Sequence, residues 1–195
     1  DEGKRHLPAI SSAPDGSFVV AWGAGDYDAE FSNPGARDVL VRQFGRDGSA
    51  LGEAFRAHAN SEGRQVTPAV AHTGSDAFVV VWEDGDGHEP PGAEDVPSRD
   101  GDSFGLFGKL FDEAGSPAAA EFQVNAYTVG NQWFDGPTSR TIAADEEGNV
   151  VVVWASKSDR IVGRRYCHYP SVAAACGDAD CLGAQITATD ALVRL

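Results

Sequence analysis

The sequence contains no methionine, only three cysteines, and half as many basic residues as acidic ones, 15 Lys and Arg against 30 Asp and Glu. The resulting net charge of -15 disfavours nucleic acid and anionic membrane surfaces as partners, because both would repel the chain. No apolar run approaches the roughly 18 to 20 residues that span a bilayer. With no initiating methionine and no signal peptide, the chain is expected to be a mature or excised segment. The charge suits a secreted or cell-surface protein, or one that binds cations.

The few cysteines are clustered at Cys167, Cys176 and Cys181 in a loop rich in glycine and aspartate. Such clustering favours an oxidising compartment, with one disulfide and one remaining thiol. Cys176 with Cys181 is the first choice, because the glycine and aspartates between them allow a tight turn. Zinc bound by the three cysteines and His168 is the alternative, although the spacing does not fit paired-cysteine zinc sites.

A short apolar run ending in tryptophan occurs three times, as Phe18–Trp22, Phe78–Trp82 and Val150–Trp154. Runs of this kind, rich in β-branched residues, are typical of strands buried on both faces. An aliphatic residue precedes each tryptophan by twelve positions, at Ile10, Val70 and Ile142, and a turn rich in glycine and acidic residues lies between. The chain is therefore a threefold repeat, and the recurrence of the tryptophans at equivalent positions predicts that they lie in the core.

Each repeat contains four segments with strand character and no helical periodicity. The predicted strands are residues 8–11, 18–22, 39–44 and 54–57, then 68–71, 78–82, 105–111 and 121–124, then 141–144, 150–154, 161–166 and 184–187. Four short antiparallel strands per repeat are typical of a β-propeller blade. The sequence therefore predicts an all-β, propeller-type fold of three blades, at 1–60, 61–130 and 131–195, with a cysteine-containing insertion at 167–183.

The same residues resemble the tandem repeats of large secreted bacterial proteins, which often accompany calcium-binding modules. The shared pattern is Pro-x-aliphatic-Ala, an Asp-Gly turn, Phe-Val-Val-x-Trp, an acidic loop and Glu-Phe-x-Val-Asn, the last of which is Glu121 to Asn125 in repeat two. The resemblance covers almost the whole chain. It implies a propeller-like extracellular scaffold and no particular activity. Repeat three departs from the pattern, because Arg140 replaces the proline and the cysteine insertion replaces the last turn.

Three blades are too few for a closed ring, since propellers have four to eight. We therefore expect the partner to be a second copy of the chain, giving six blades, or further blades of a longer protein. A glycan or a cell-surface protein is a further possible partner.

Acidic residues are concentrated in the loop that follows each of the first two tryptophan strands. Carboxylates alternating with glycine can surround a hard cation that takes six to eight oxygens. The candidate calcium ligands are Asp26, Asp28, Asp84, Asp86, Asp100 and Asp102. No complete EF-hand pattern is present, so a solvated acidic loop is the alternative.

Trp133 and Phe134 are the candidate ligand-binding aromatics, because they lie in a predicted linker before repeat three and have no counterpart in the other repeats. They could stack on a sugar ring or cover an apolar edge. No nucleophile elbow, phosphate loop or His-Glu-x-x-His motif is present. We therefore predict a non-catalytic binding or adhesion module, with a lectin and a secreted hydrolase using channel-facing carboxylates as alternatives.

Overall fold

The computed structural model describes residues 5–25, 37–60, 63–74, 77–85, 99–134, 141–156, 160–167 and 187–189. Every regular element in these ranges is a β-strand. The described residues accordingly contain no helix of the length and apolar character that a membrane crossing requires.

The strands form three antiparallel sheets, each following chain order. Sheet one consists of β1 (Arg5–Ser12), β2 (Phe18–Ala24), β3 (Asp38–Phe44) and β4 (Phe55–Arg56). Sheet two consists of β5 (Gln65–His72), β6 (Ala77–Asp84), β7 (Gly105–Asp112) and β8 (Phe122–Gln123). Sheet three consists of β9 (Gln132–Trp133), β10 (Ile142–Ala144), β11 (Val150–Ser156), β12 (Arg160–Cys167) and β13 (Thr187–Thr189). The prediction of an all-β chain with three four-stranded antiparallel sheets is confirmed.

Strands β9 and β10 together form one edge strand of sheet three, on the side of β11 opposite β12. Both pair with β11, since Trp133 lies opposite Ala155 and Ile142 lies opposite Val152. The prediction that Trp133 lies in a linker is therefore wrong. Residues 135–140, which lie outside the described residues, separate the two halves of one strand and hid the relationship in the sequence.

The three sheets stack face to face, with sheet two in the middle. One apolar cluster joins sheets one and two, and a second cluster joins sheets two and three. Among the three central strands β2, β6 and β11, β6 is the one buried at every residue except its first. In β2 the residues alternate between buried and half-buried, and in β11 every second residue is more exposed. The prediction of burial on both faces is thus correct for the middle repeat alone, because the outer sheets have one neighbour each.

Side chains alternate across each central strand, so every sheet has two chemically different faces. The tryptophan face carries Phe, Val and Trp; its members are Phe18, Val20 and Trp22, then Phe78, Val80 and Trp82, then Val150, Val152 and Trp154. The valine face carries the residues between them; its members are Val19 and Ala21, then Val79 and Val81, then Val151 and Val153. The valine face of sheet one packs on the tryptophan face of sheet two. The valine face of sheet two packs in the same way on sheet three.

The first hairpins of sheets one and three turn on an aspartate or glycine pattern predicted from the sequence. In sheet one, Asp15 Oδ1 accepts hydrogen bonds from the Ser17 backbone N–H at 2.9 Å and from its hydroxyl at 2.7 Å. Gly16 adopts φ +89°, a left-handed conformation that glycine adopts without steric cost. These local bonds fix the hairpin register and therefore which side chains reach each face.

Candidate functional site

Asp84, a predicted calcium ligand, lies at the buried end of β6 and not in a loop. Arg99 binds it through Nη2 at 3.0 Å and Nε at 3.1 Å from Asp84 Oδ2. Gln65 Nε2 donates to the same carboxylate oxygen at 3.3 Å. The guanidinium of Arg99 thus occupies the position beside this carboxylate that a cation would need.

The same arginine links Asp84 to Glu121, the residue that precedes β8. Arg99 Nη1 lies 2.6 Å from Glu121 Oε2, and Lys109 Nζ lies 3.7 Å from Glu121 Oε1. Burial alone would raise the pKa of Glu121, but the Ala59 N–H and the two cations lower it below its usual value. The Arg99 guanidinium also lies 4.0 Å from the ring centroid of Phe107. The network therefore ties the end of sheet two to the segment that enters it from sheet one.

Asp100 and Asp102 accept hydrogen bonds from the chain that leaves sheet two. Asp100 Oδ2 accepts from Asn125 Nδ2 at 2.7 Å, and Asp102 Oδ2 accepts from the Gly130 N–H at 2.8 Å. Among the described residues, no group of three or more His, Cys, Asp or Glu side chains is arranged to hold a metal ion. The remaining candidate ligands, Asp26, Asp28 and Asp86, lie outside the described residues, so calcium binding stays a prediction.

Glu83 is the most unusual carboxyl group among the described residues. It lies in β6, is 6% exposed, and faces sheet three. One carboxylate oxygen accepts from the Phe134 N–H at 2.6 Å and the other accepts from the Thr67 hydroxyl at 2.9 Å. Desolvation raises the pKa of Glu83 to about 7, although both hydrogen bonds oppose the rise.

The position of Thr67 depends on an irregularity that β1 and β5 share. Both strands shift register just before their proline, between His6 and Ala9 and between Val66 and Ala69. Thr67 has φ +50°, which is uncommon for a β-branched residue. Thr67 is thus in a left-handed backbone conformation at the point where its hydroxyl donates to Glu83.

The two aromatics predicted to bind a ligand differ in their exposure. Phe134 is 5% exposed and belongs to the cluster between sheets two and three. Trp133 is half-buried in β9, whereas Trp82 and Trp154 are buried. Trp133 is thus the one of the pair with surface available to a ligand.

The predicted cysteine site lies mostly beyond the described residues. Strand β12 ends at Cys167, while His168, Cys176 and Cys181 are outside the described ranges. The disulfide and the alternative zinc site therefore stay predictions.

Two sheet faces of the described chain carry apolar side chains that no other sheet covers. On the tryptophan face of sheet one, Ile10 is 66% exposed, although its counterpart in sheet two, Val70, is 5% exposed. On the valine face of sheet three, Val151 is 41% exposed, although its counterpart Val79 is 1% exposed. Ile161, which pairs with Ala155 and so lies on the same face, is 49% exposed. Apolar side chains exposed on an uncovered sheet face are candidates for an interaction site in a soluble protein.

Comparison with known proteins gives little information about this chain. No protein family model matches it, and no curated protein matches it. Among solved structures, the chain is similar to the Hadza microbial sialidase Hz136, with a TM-score of 0.48 and 12% sequence identity. The alignment covers 83% of this chain and 35% of that one, so the chain spans about a third of the sialidase. At this degree of similarity the comparison carries no argument about activity.

Proposed function

We propose that this chain is a non-catalytic binding module of β-propeller type, secreted or displayed at the cell surface, in which each sheet is a blade. Its binding surfaces are the tryptophan face of sheet one and the valine face of sheet three. The partner is a protein that presents a flat, apolar sheet surface. The observation that carries the proposal is the exposure of Ile10, Val151 and Ile161 at positions equivalent to, or continuous with, packed ones.

The chemistry of the two faces supports a protein partner over a charged ligand. The central positions of both faces carry aliphatic and aromatic side chains, with arginines beside them, Arg42 opposite Val20 and Arg165 opposite Val151. The apolar side chains contribute to association mainly by leaving water. The net charge of -15 keeps the rest of the surface soluble. The network of Asp84, Arg99 and Glu121 supports the non-catalytic part, because its charged groups already bind one another.

The hydrolase alternative has less support from the described carboxyl groups. A general acid needs a raised pKa and contact with substrate. Glu83 has the raised pKa, but it is buried and both of its oxygens accept hydrogen bonds from the protein. Glu121 has a lowered pKa, which suits an ion pair.

A carbohydrate-binding module is the second candidate, and one observation favours it. Trp133 is half-buried on the valine face of sheet three, because it pairs with Ala155, and the other sheets have no tryptophan at the equivalent position. An indole with one open side can stack on a sugar ring. The two candidates share the valine face of sheet three, because Trp133 and Ile161 both pair with Ala155.

Photochemical footprinting with a diazirine label tests the principal proposal. We expect Ile10, Val151 and Ile161 to be labelled in the dilute purified chain. The same residues should be protected when the label is applied to the unfractionated native source, which contains the partner. The matched controls are Leu51 and Tyr127, which are also exposed apolar residues but lie in loops, and both should be labelled in each sample. Equal labelling of the face residues in the two samples would show that the faces have no partner.

A further inference from the structure

The two open faces are the two complementary halves of an interface that the chain already forms twice. Sheet one presents its valine face to sheet two, and sheet two presents its valine face to sheet three. The direction is the same in both cases. Stacking in one direction leaves one tryptophan face and one valine face uncovered at opposite ends.

The open face of sheet one retains the arrangement of the packed face of sheet two. Phe18 and Phe44 stack with ring centroids 4.9 Å apart and an interplanar angle of 7°. Their counterparts Phe78 and Phe111 stack at 5.3 Å and 15° beneath sheet one. The open face is therefore already arranged as a surface that receives a valine face, without the cost of reordering its rings.

The open face of sheet three is built as the complementary surface. Val151 and Val153 occupy the positions of Val79 and Val81, and Gly163 occupies the position of Gly108, where a Cβ would come within 3.0 Å of Val81. Its polar edge also matches. Arg165 occupies the position of Gln43, whose side-chain Nε2 donates to the Glu113 carbonyl in the adjacent sheet at 2.7 Å. Arg165 can reach the corresponding hairpin turn of a docked sheet in the same way.

We propose that the partner of these faces is a second copy of this chain, bound head to tail, with the valine face of sheet three of each copy on the tryptophan face of sheet one of the other. This inference rests on the proposed function and names its partner. A heterologous contact closes into a ring when its rotation permits. Two copies contribute six sheets, within the four to eight blades of closed propellers. Both open faces of each copy are then covered.

Charge gives the association a characteristic salt dependence. Each copy carries a net charge of -15, so two copies repel one another over about 10 Å at 0.1 M salt. Higher ionic strength screens this repulsion while apolar burial continues to favour docking. The dimer is therefore stronger at high salt, the opposite of an interface held by ion pairs.

A complementation experiment with two face variants tests the direction of docking. Ile10→Asp disables the tryptophan face of sheet one, and Val151→Asp disables the valine face of sheet three, since each places a carboxylate in an apolar contact. Sedimentation at micromolar concentration should show a wild-type dimer and, for each variant alone, association weakened by about 100-fold or more. An equimolar mixture of the two variants should form a one-to-one complex, because one undamaged interface remains between them.

The controls separate a docking defect from a folding defect. Both substituted side chains are exposed, so circular dichroism and the melting temperature should match the wild type. Ile161→Lys on the same face replaces Val151→Asp if that variant does not fold, and Tyr127→Asp, outside both faces, should leave the dimer unchanged.

Three outcomes would overturn the inference. A wild-type monomer at every concentration would show that another protein, or another segment of the chain, covers the faces; protection in the footprinting experiment would then leave the proposed function standing. A dimer lost in only one of the two variants would indicate contact between like faces. A mixture that stays monomeric would exclude the head-to-tail arrangement.

Discussion

His58 and Asn125 occupy the same position in consecutive sheets and make the same pair of hydrogen bonds. Nε2 of His58 accepts from the Val39 N–H at 3.2 Å, and Oδ1 of Asn125 accepts from the Leu106 N–H at 2.8 Å. Each side chain also contacts a backbone carbonyl two residues further on: Nδ1 of His58 contacts that of Asn60, and Nδ2 of Asn125 donates to that of Tyr127 at 2.9 Å. An imidazole that accepts at Nε2 must be neutral with its proton on Nδ1.

We expect His58→Asn to be tolerated, because asparagine already performs this role in sheet two. Burial lowers the pKa of His58 below its ordinary value, so the folded state disfavours the charged ring. Stability should be fully present above pH 6.5 and decline as the pH falls below it, because the unfolded chain binds the proton more readily. The variant should show a smaller decline in urea unfolding measured at several pH values, because His6 and His72, whose pKa values burial also lowers, still contribute to it. His58→Phe, which cannot accept from Val39, should be destabilised at every pH; equal stability of the two variants would contradict the assigned role.

Glu83→Gln should stabilise the protein at neutral and alkaline pH. The folded pKa of about 7 lies above the ordinary value of 4.5, so the protonated form contributes stability that is complete below pH 4.5 and is lost as the pH rises through 7. The difference corresponds to at most about 3 kcal/mol. Glutamine keeps an acceptor for the Phe134 N–H and carries no charge. Denaturant unfolding of both proteins at pH 5 and pH 8 measures the effect, with the exposed Glu147→Gln as control. The same difference in unfolding free energy between variant and wild type at both pH values would refute the assigned effect of Glu83.

Arg99→Leu should destabilise the protein by about 3 kcal/mol or more, because it leaves the buried Asp84 carboxylate without its cation. Adding Asp84→Ser should recover part of the loss, since Ser156 occupies the equivalent position in sheet three and accepts from Gln132 Nε2 at 3.2 Å. Arg56→Leu is the matched control. It breaks the exposed pair with Asp38, and the expected cost is below about 1 kcal/mol. A single-variant cost at Arg99 equal to that at Arg56 would count against the network.

Calcium should raise the melting temperature if the loops after β2 and β6 hold it. Free calcium at about 100 times its Kd stabilises by about 2.7 kcal/mol. Asp26→Asn combined with Asp28→Asn should remove part of the shift, and Asp86→Asn should remove another part. Glu113→Gln, an exposed acid on a hairpin turn, should not change it. Melts with calcium and with a chelator that coincide, together with no binding heat in calorimetry, would identify the acidic loops as solubilising surface.

Trp133→Ala tests the carbohydrate candidate on a glycan array. Loss of stacking should weaken binding to one sugar class by about tenfold. The matched control is Trp22→Ala, which alters another half-buried tryptophan at the opposite end of the stack. Absence of any saturable glycan signal from the wild-type chain would reject this candidate.

The strands were predictable because their signals are local. Phe78–Trp82 and its two counterparts are β-branched runs bounded by turn residues, and the structure places all three in central strands. The position of Trp133 was not predictable, because residues 135–140 split its strand and removed the spacing that identifies the repeat. Glu83 was equally hidden. Its burial depends on sheet three, which packs on it from more than fifty residues away in sequence, as the contact with Phe134 shows.

The sequence also did not predict which face of each sheet remains uncovered. The runs at residues 18–22 and 150–154 each differ from the buried run at 78–82 by one apolar residue, and the order of the stack decides which faces are covered. Alternation within a strand is visible in a sequence when one side is polar. Here both sides are apolar, so the sequence predicted burial on both faces where the structure shows one face packed.

The central position of sheet two has a consequence for how the molecule opens. In a linear array each unit is stabilised by its own contacts and by those with its nearest neighbours. Sheet two has two neighbours, and each terminal sheet has one. Local opening should therefore begin at the ends of the array, with amides in β2 and β11 exchanging hydrogen before those in β6. Closing the array into a ring would remove its ends and give all the sheets comparable protection.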